Sequence, residues 1–227
     1  QLPQMISYNE SLGVLKYDVE LAKKTLDDCG WVAGADGIRE KNGVKASTNY
    51  LTTSGNAVRL KASQVLQASL KAIGIEVKLT YVPSSVAFSE SGLYGRNFNM
   101  MQFANVFSVI DPGSWFFGVA NCGQIPTPEN AFAGGNYAGW CEKTASDAAA
   151  EAAYLTLDPA VRMADWEKVL AAYFSEGDGG ISGGIPVIPL YTRPNYLAVS
   201  PLLSGAALDP TEYNTWNIET WTLALPE

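Results

Sequence analysis

Between Val44 and Val82 the hydrophobic period changes twice, and this restricts the fold more than any other feature of the chain. Val44, Ala46, Thr48 and Tyr50 alternate as a strand does. From Asn56 the positions Val58, Ala62, Val65, Leu66, Ser69, Leu70 and Ile73 recur at helical spacing and stop at Gly74. Ile75, Val77, Leu79 and Tyr81 then alternate against Glu76, Lys78 and Thr80. A strand, a helix and a strand in this order predict a right-handed crossover in a parallel or mixed sheet, hence an α/β fold class.

The flanking segments extend the pattern. "YDVELAKKTLDDCGW" takes Asp18 as N-cap, places Val19, Ala22, Leu26 and Cys29 on one stripe and stops at Gly30. Beside Leu26, Cys29 reads as a buried free thiol. Asp36-Gly37 and Asn42-Gly43 are tight-turn dipeptides, so a small hairpin leads into the first long strand. "FNMMQFANVF" from Phe98 is a further apolar run of strand length, broken by Asp111-Pro112, after which "PGSWFFG" starts a short helix. Helices follow over 144–155 and 159–174, the second entered through Asp158-Pro159. The glycines between Gly177 and Gly184 lack the Lys and Ser/Thr of a phosphate cradle and read as a loop. Pro186 and Pro189 in "IPVIPLY" predict an edge or hinge strand. The tail holds turns and one short strand around 216–221. Trp31, Trp166, Trp216 and Trp221 fall at packing positions, whereas Trp115 is ambiguous.

Composition removes whole classes of function. There is no histidine, so the commonest general base, zinc ligand and partner of a nucleophilic Ser or Cys are absent. With 15 basic and 23 acidic residues the net charge is -8, which repels a phosphate backbone, and no nucleic-acid partner is expected. The densest basic spots, Lys23-Lys24 and 39–45, are interleaved with acids and read as solvated faces. No run approaches the roughly 18 apolar residues of a membrane span, and no secretory signal pattern opens the chain, which reads as soluble. Cys122 and Cys141 bracket a Gly/Pro/Asn-rich segment. A disulfide there would stabilise the fold by about 3 kcal/mol and imply an oxidising compartment. The alternative is two unrelated buried thiols.

The order of these elements and eight phrases resemble the C-terminal part of the family 5 extracellular solute-binding proteins, the oligopeptide, dipeptide and nickel binding proteins of ABC importers. The phrases are "YDVELAKKTLDDCGW", "DGIREKNG", "LQASLKAIGIEVKL", Asp111-Pro112, Asp147, "LDPAVRMADWEKVL", "IPVIPLY" and "WNIETW". The resemblance implies a periplasmic-binding-protein-like type II lobe, a mixed sheet flanked by helices, over residues 1–195. Residues 196–227 would be the crossover and return to a first, N-terminal lobe that is absent here. It further implies a peptide or similar small solute as ligand, ABC permease subunits as partners, and a periplasmic or lipid-anchored extracytoplasmic location. No enzymatic activity and no cofactor are implied. Some relatives carry nickel or haem, but without histidine this lobe offers no soft-ligand metal site.

On its cleft-facing strand the family carries Phe-Asp, then Trp, then Asp, then Asp-Pro. In "FNMMQFANVFSVIDP", Phe98 and Asp111-Pro112 match this pattern, while Asn99, Asn105 and Ser108 depart from it. In peptide-binding members an acid at the Ser108 position resembles a partner for the ligand's amino terminus, and serine cannot supply that charge. Asp111, Glu90 or Glu129 could substitute, although each also reads as a turn cap or a solvent-facing group. The candidate ligand-binding residues on this segment are Gln102, Asn105, Phe107, Ser108, Asp111 and Trp115. Those in the uncharged loop "NAFAGGNYAGWC" are Asn136, Tyr137 and Trp140, which would offer ring faces and amide donors. Alternatively Phe132, Tyr137 and Trp140 fill a satellite core beneath the disulfide. Arg193 could reach a ligand carboxylate or pair across the crossover. Two other functions remain open: a surface interaction domain of the same fold, and a glycoside hydrolase using two carboxylates such as Asp111 and Glu129.

Overall fold

The structure, a computed structural model, describes residues 8, 10, 16–105, 111–174, 186–192, 196–209 and 212–224. It divides into a sheet-bearing unit, Glu10–Ala104 with Asn121–Trp140, and a helical unit, Gln1–Asn9 with Asn105–Ala120 and Cys141–Glu227.

In the sheet-bearing unit α1 (Val19–Asp28) starts where the Asp18 carboxylate accepts from the Leu21 amide at 2.8 Å. An antiparallel meander follows, β1 (Val32–Ala33), β2 (Arg39–Lys41) and β3 (Val44–Lys45). The predicted crossover is present: β4 (Ser47–Thr53), α2 (Ala57–Ala72) and β5 (Glu76–Val82), with β4 and β5 parallel and Tyr50 opposite Leu79. After a single turn, α3 (Ser84–Ala87), β6 (Met100–Gln102) joins the far edge of β4, also parallel. The order β5-β4-β6 makes an all-parallel three-stranded sheet. Asn56 caps α2 through the Arg59 amide at 2.9 Å. The Ser63 hydroxyl of α2 meets that of Tyr81 at 2.8 Å, so α2 covers the face carrying Tyr50, Thr52 and Val77, all buried. The opposite face carries Asn49, Leu51, Lys78 and Thr80, none of them buried.

Several details depart from the sequence expectations. The α2 stripe is rotated: Val58 and Val65 are exposed, and the polar residues Ser63 and Gln67 take the inner face, Gln67 donating to the Val77 carbonyl at 2.7 Å. Cys29 is an exposed free thiol, because it lies just past the end of a helix that has no fully buried residue. Arg39 is buried rather than solvated. Its guanidinium pairs with Asp27 at 2.5 Å and donates to the carbonyls of Trp31 and Ile73 at 2.6 and 2.8 Å, which ties α1, the meander and the end of α2 together.

In the helical unit α4 (Gly113–Ala120), α5 (Lys143–Ala150) and α6 (Pro159–Phe174) pack together, and α5 runs on as a π-turn over Glu151–Leu155. Ala145, Ala148, Ala149 and Ala152 give α5 a low-relief face. Trp166 is wholly buried and stacks on Phe116 at 5.2 Å, as a packing tryptophan should. Residues 186–192 form no strand among the described residues, and their two prolines lack the donors a strand ladder needs. In the tail the short strand falls at β8 (Thr222–Leu223), which pairs antiparallel with β7 (Leu203–Ser204). The 216–221 stretch is instead a turn and a 3-10 segment, with Trp216 exposed. The glycine-rich loop and Arg193 lie outside the described residues.

Candidate functional site

The uncharged loop is built, not loose. Two 3-10 turns, Cys122–Gln124 and Pro128–Asn130, open it. Asn130 accepts from the Thr127 amide and donates to the Ile125 carbonyl, both at 2.9 Å. Gly134 sits at φ +108 with its Cα so close to the Gln124 carbonyl that a Cβ would come within 2.2 Å of that oxygen. Asn136 then acts as the loop's internal staple. Its Nδ2 donates to the carbonyls of Trp140 at 2.6 Å and Asn121 at 3.2 Å, and its Oδ1 accepts from the Trp140 amide at 3.2 Å. The disulfide expected between Cys122 and Cys141 is present and closes the segment.

These bonds decide what the loop can present. Asn136 and Trp140 are 1% and 4% exposed and serve the interior of the loop. Tyr137 is half-buried, within 6.0 Å of the Tyr94 ring and 6.4 Å of Phe103, which itself meets Phe88 edge to face. Burial, and then the nearby Tyr94 hydroxyl, push the Tyr137 hydroxyl pKa up, so this ring is a neutral donor at physiological pH.

Arg96 adds a charge that sequence reasoning missed. It adopts φ +57, donates from Nε to the Tyr137 carbonyl at 3.2 Å, and lays its guanidinium against Gly139. With Asn97, Phe98 and Asn99 it lines a trough of about 550 Å³ on the face of the sheet opposite α2, whose floor is Asn49, Leu51 and Thr80. A sequence signal was available: Arg96 is the only basic residue between Lys78 and Lys143.

The remaining candidates fall elsewhere. Gln102 ends β6, buried, its carbonyl accepting from the Thr52 hydroxyl at 2.8 Å. Asn105 is exposed, and Trp115 is half-buried with its ring edge on Phe116. Both carboxylate oxygens of Asp111 are engaged, Oδ1 by the Gly113 amide at 2.8 Å and Oδ2 by the Arg162 guanidinium. Glu129 is exposed, and its carboxyl is held below the usual range by its own amide and the Thr127 hydroxyl. Phe107 and Ser108 lie outside the described residues. Gln102, Asn136, Tyr137 and Trp140 thus belong to the sheet-bearing unit, and Asn105, Asp111 and Trp115 to the helical unit. Among the described residues no group of three or more His, Cys, Asp or Glu is placed to hold a metal ion, and no helix is long and apolar enough to cross a membrane.

A family model described as bacterial extracellular solute-binding proteins, family 5 Middle, matches residues 2–126, more than half of the 227. The chain is 28% identical over 225 residues to the oligopeptide-binding protein AppA of Bacillus subtilis (strain 168), covering 98% of this chain and 38% of that protein. Among solved structures it is similar to the oligopeptide-binding protein of Thermus thermophilus complexed with a pentapeptide, at 29% identity and TM-score 0.67. That match covers 76% of this chain and 30% of the other. In fold alone it is similar to NikZ of Campylobacter jejuni in complex with Ni(L-His), at 19% identity and TM-score 0.72 over 97% and 42% of the two chains. The type II periplasmic-binding-protein-like α/β fold is shared with these relatives, and the chain spans well under half the length of each.

Proposed function

The chain belongs to the bacterial extracellular solute-binding proteins of family 5, and on that premise we propose that it supplies one lobe of a two-lobed binding protein. Such a protein would capture a peptide or similar small solute between its lobes and deliver it to the transmembrane subunits of an ABC importer, without chemistry. The observation that carries this reading is the match to AppA along 98% of the chain. The peptide class is further supported by the Thermus thermophilus relative, described in complex with a pentapeptide. In this reading residues 1–195 form the second lobe and 196–227 return to the first. Tyr137, with Tyr94 and the neighbouring trough, presents the ligand wall, while Asn136, Trp140 and the disulfide hold that wall in shape. Gln102, Asn105, Phe107, Ser108 and Trp115 remain proposed ligand contacts. Asp111, tied to Arg162, acts by fixing the start of α4. Extended peptides held largely through main-chain hydrogen bonds would explain tolerance of varied side chains.

The test is a thermal melt of the full-length protein with mixed tri- to pentapeptides, and separately with mixed oligosaccharides. A ligand at about 100 times its Kd stabilises the folded state by about 2.7 kcal/mol. A higher melting point with peptides and none with oligosaccharides is expected. The reverse pattern would overturn the peptide class, and no response to either would overturn solute capture.

A further inference from the structure

We propose that Arg96 selects a solute bearing a free carboxylate, held over the polar trough of the sheet-bearing unit. The inference rests on the solute-binding reading and names the chemistry that reading leaves open.

Arg96 is the one cation in the stretch from 79 to 142, which contains every proposed ligand contact. It joins no ion pair among the described residues, and its two terminal nitrogens find no acceptor there. It is nevertheless held in place. Its backbone sits at φ +57, an uncommon conformation for a non-glycine residue, and its Nε is fixed by the Tyr137 carbonyl. Its guanidinium occupies the space above Gly139, where any Cβ would fall 1.8 Å from Nη2. A long side chain already restrained in the free protein loses less freedom on binding, which favours recognition.

The trough beside it is asymmetric in charge. Asn49, Thr80, Asn97 and Asn99 bring neutral amides and a hydroxyl, Leu51 and Phe98 bring apolar surface, and among the described residues no acid lines it. The side chains of Asn49 and Thr80 have no partner among the described residues, and Asn99 uses only Oδ1, which accepts from the Asn49 amide at 3.4 Å. The trough, about 550 Å³, is open and more polar than apolar, so a solute there would be held through hydrogen bonds and charge rather than by burial. On the same sheet face Lys78, in register with Asn49, is paired with Glu76 at 3.7 Å, which leaves Arg96 as the cation without an acid beside the trough. An ammonium group placed beside Arg96 would meet a like charge, whereas a carboxylate would find a forked donor able to bind it through two parallel hydrogen bonds. The chain's net charge of -8 makes the attraction local to Arg96.

The carboxylate could be a peptide's C-terminus or that of a free organic acid. Three probe mixtures separate these on the full-length protein: tripeptides with free C-termini, the same tripeptides amidated, and the hydroxy acids lactate, malate and citrate. Affinities are read by titration for wild type, Arg96→Gln and Arg96→Lys, with melting points recorded to confirm folding. Either the free peptides or the hydroxy acids should bind wild type at least about tenfold more tightly than the amidated peptides. Arg96→Gln should abolish that preference, and Arg96→Lys should keep part of it. Amidated and free peptides binding alike, with no effect of Arg96→Gln, would refute the inference and leave solute capture standing. No binding of any mixture by wild type would refute both.

Discussion

Asn136→Ala tests whether the aromatic loop is held by one buried amide. The substitution removes three hydrogen bonds, to the Trp140 carbonyl, the Asn121 carbonyl and from the Trp140 amide, at a position 1% exposed. At about 1 kcal/mol net for each bond, the expected loss is about 3 kcal/mol. For a chain of this length that corresponds to a fall in Tm of roughly 6–12 °C. Asn136→Leu keeps the volume and should be no better, because it restores neither donor nor acceptor to Trp140. Circular dichroism melts under non-reducing conditions, with the Cys122–Cys141 bond verified by mass, measure the change. A fall in Tm below about 2 °C, or a leucine variant as stable as wild type, would show that the staple is not what shapes the loop.

Two glycines predict opposite outcomes in the same melt. Gly134→Ala forces a Cβ onto the Gln124 carbonyl at φ +108 and should cost at least about 2 kcal/mol, whereas Gly118→Ala, in α4 with open space around it, should gain about 0.5–1 kcal/mol. Arg162→Ala should lower stability by about 1–2 kcal/mol in urea titration through loss of the partly buried bond to Asp111, and Asp111→Asn in that background should add little more. The Lys45 ammonium, and then the Ile38 amide, hold Asp36 below its ordinary 3.8, and Asp36 in turn lifts Lys45 above 10.5. Asp36 therefore contributes fully above 3.8 and loses its effect as pH falls through its folded value, while Lys45 contributes fully below 10.5 and loses its effect as pH rises through its own. Carboxyl NMR titration should show Asp36 moving toward 3.8 in Lys45→Met; an unchanged midpoint would contradict the pairing.

The crossover β4-α2-β5 is legible in the sequence because alternation and helical spacing are local properties, and the caps Asp18 and Asn56 mark where helices begin. The inner face of α2 is not legible in the same way. Periodicity counts apolar residues, and Ser63 and Gln67 owe their inward places to partners on β5 that are distant in sequence. Arg39 misleads for the same reason, since a guanidinium satisfied by carbonyls and Asp27 is indistinguishable in sequence from a solvated charge. At the site, the aromatic, glycine-rich character of 130–141 marks the loop correctly as unusual. Which of its residues face inward depends on the Asn136 staple, and the placement of Arg96 depends on Gly139, 43 residues away.

Native mass spectrometry of the full-length protein, purified without denaturation, tests the central claim most directly. The expected spectrum shows a protein that carries a ladder of peptide masses, displaced by added peptide mixtures. A protein that stays empty after challenge with peptides, hydroxy acids and oligosaccharides would contradict it, and would move the chain toward a surface interaction role on the same fold.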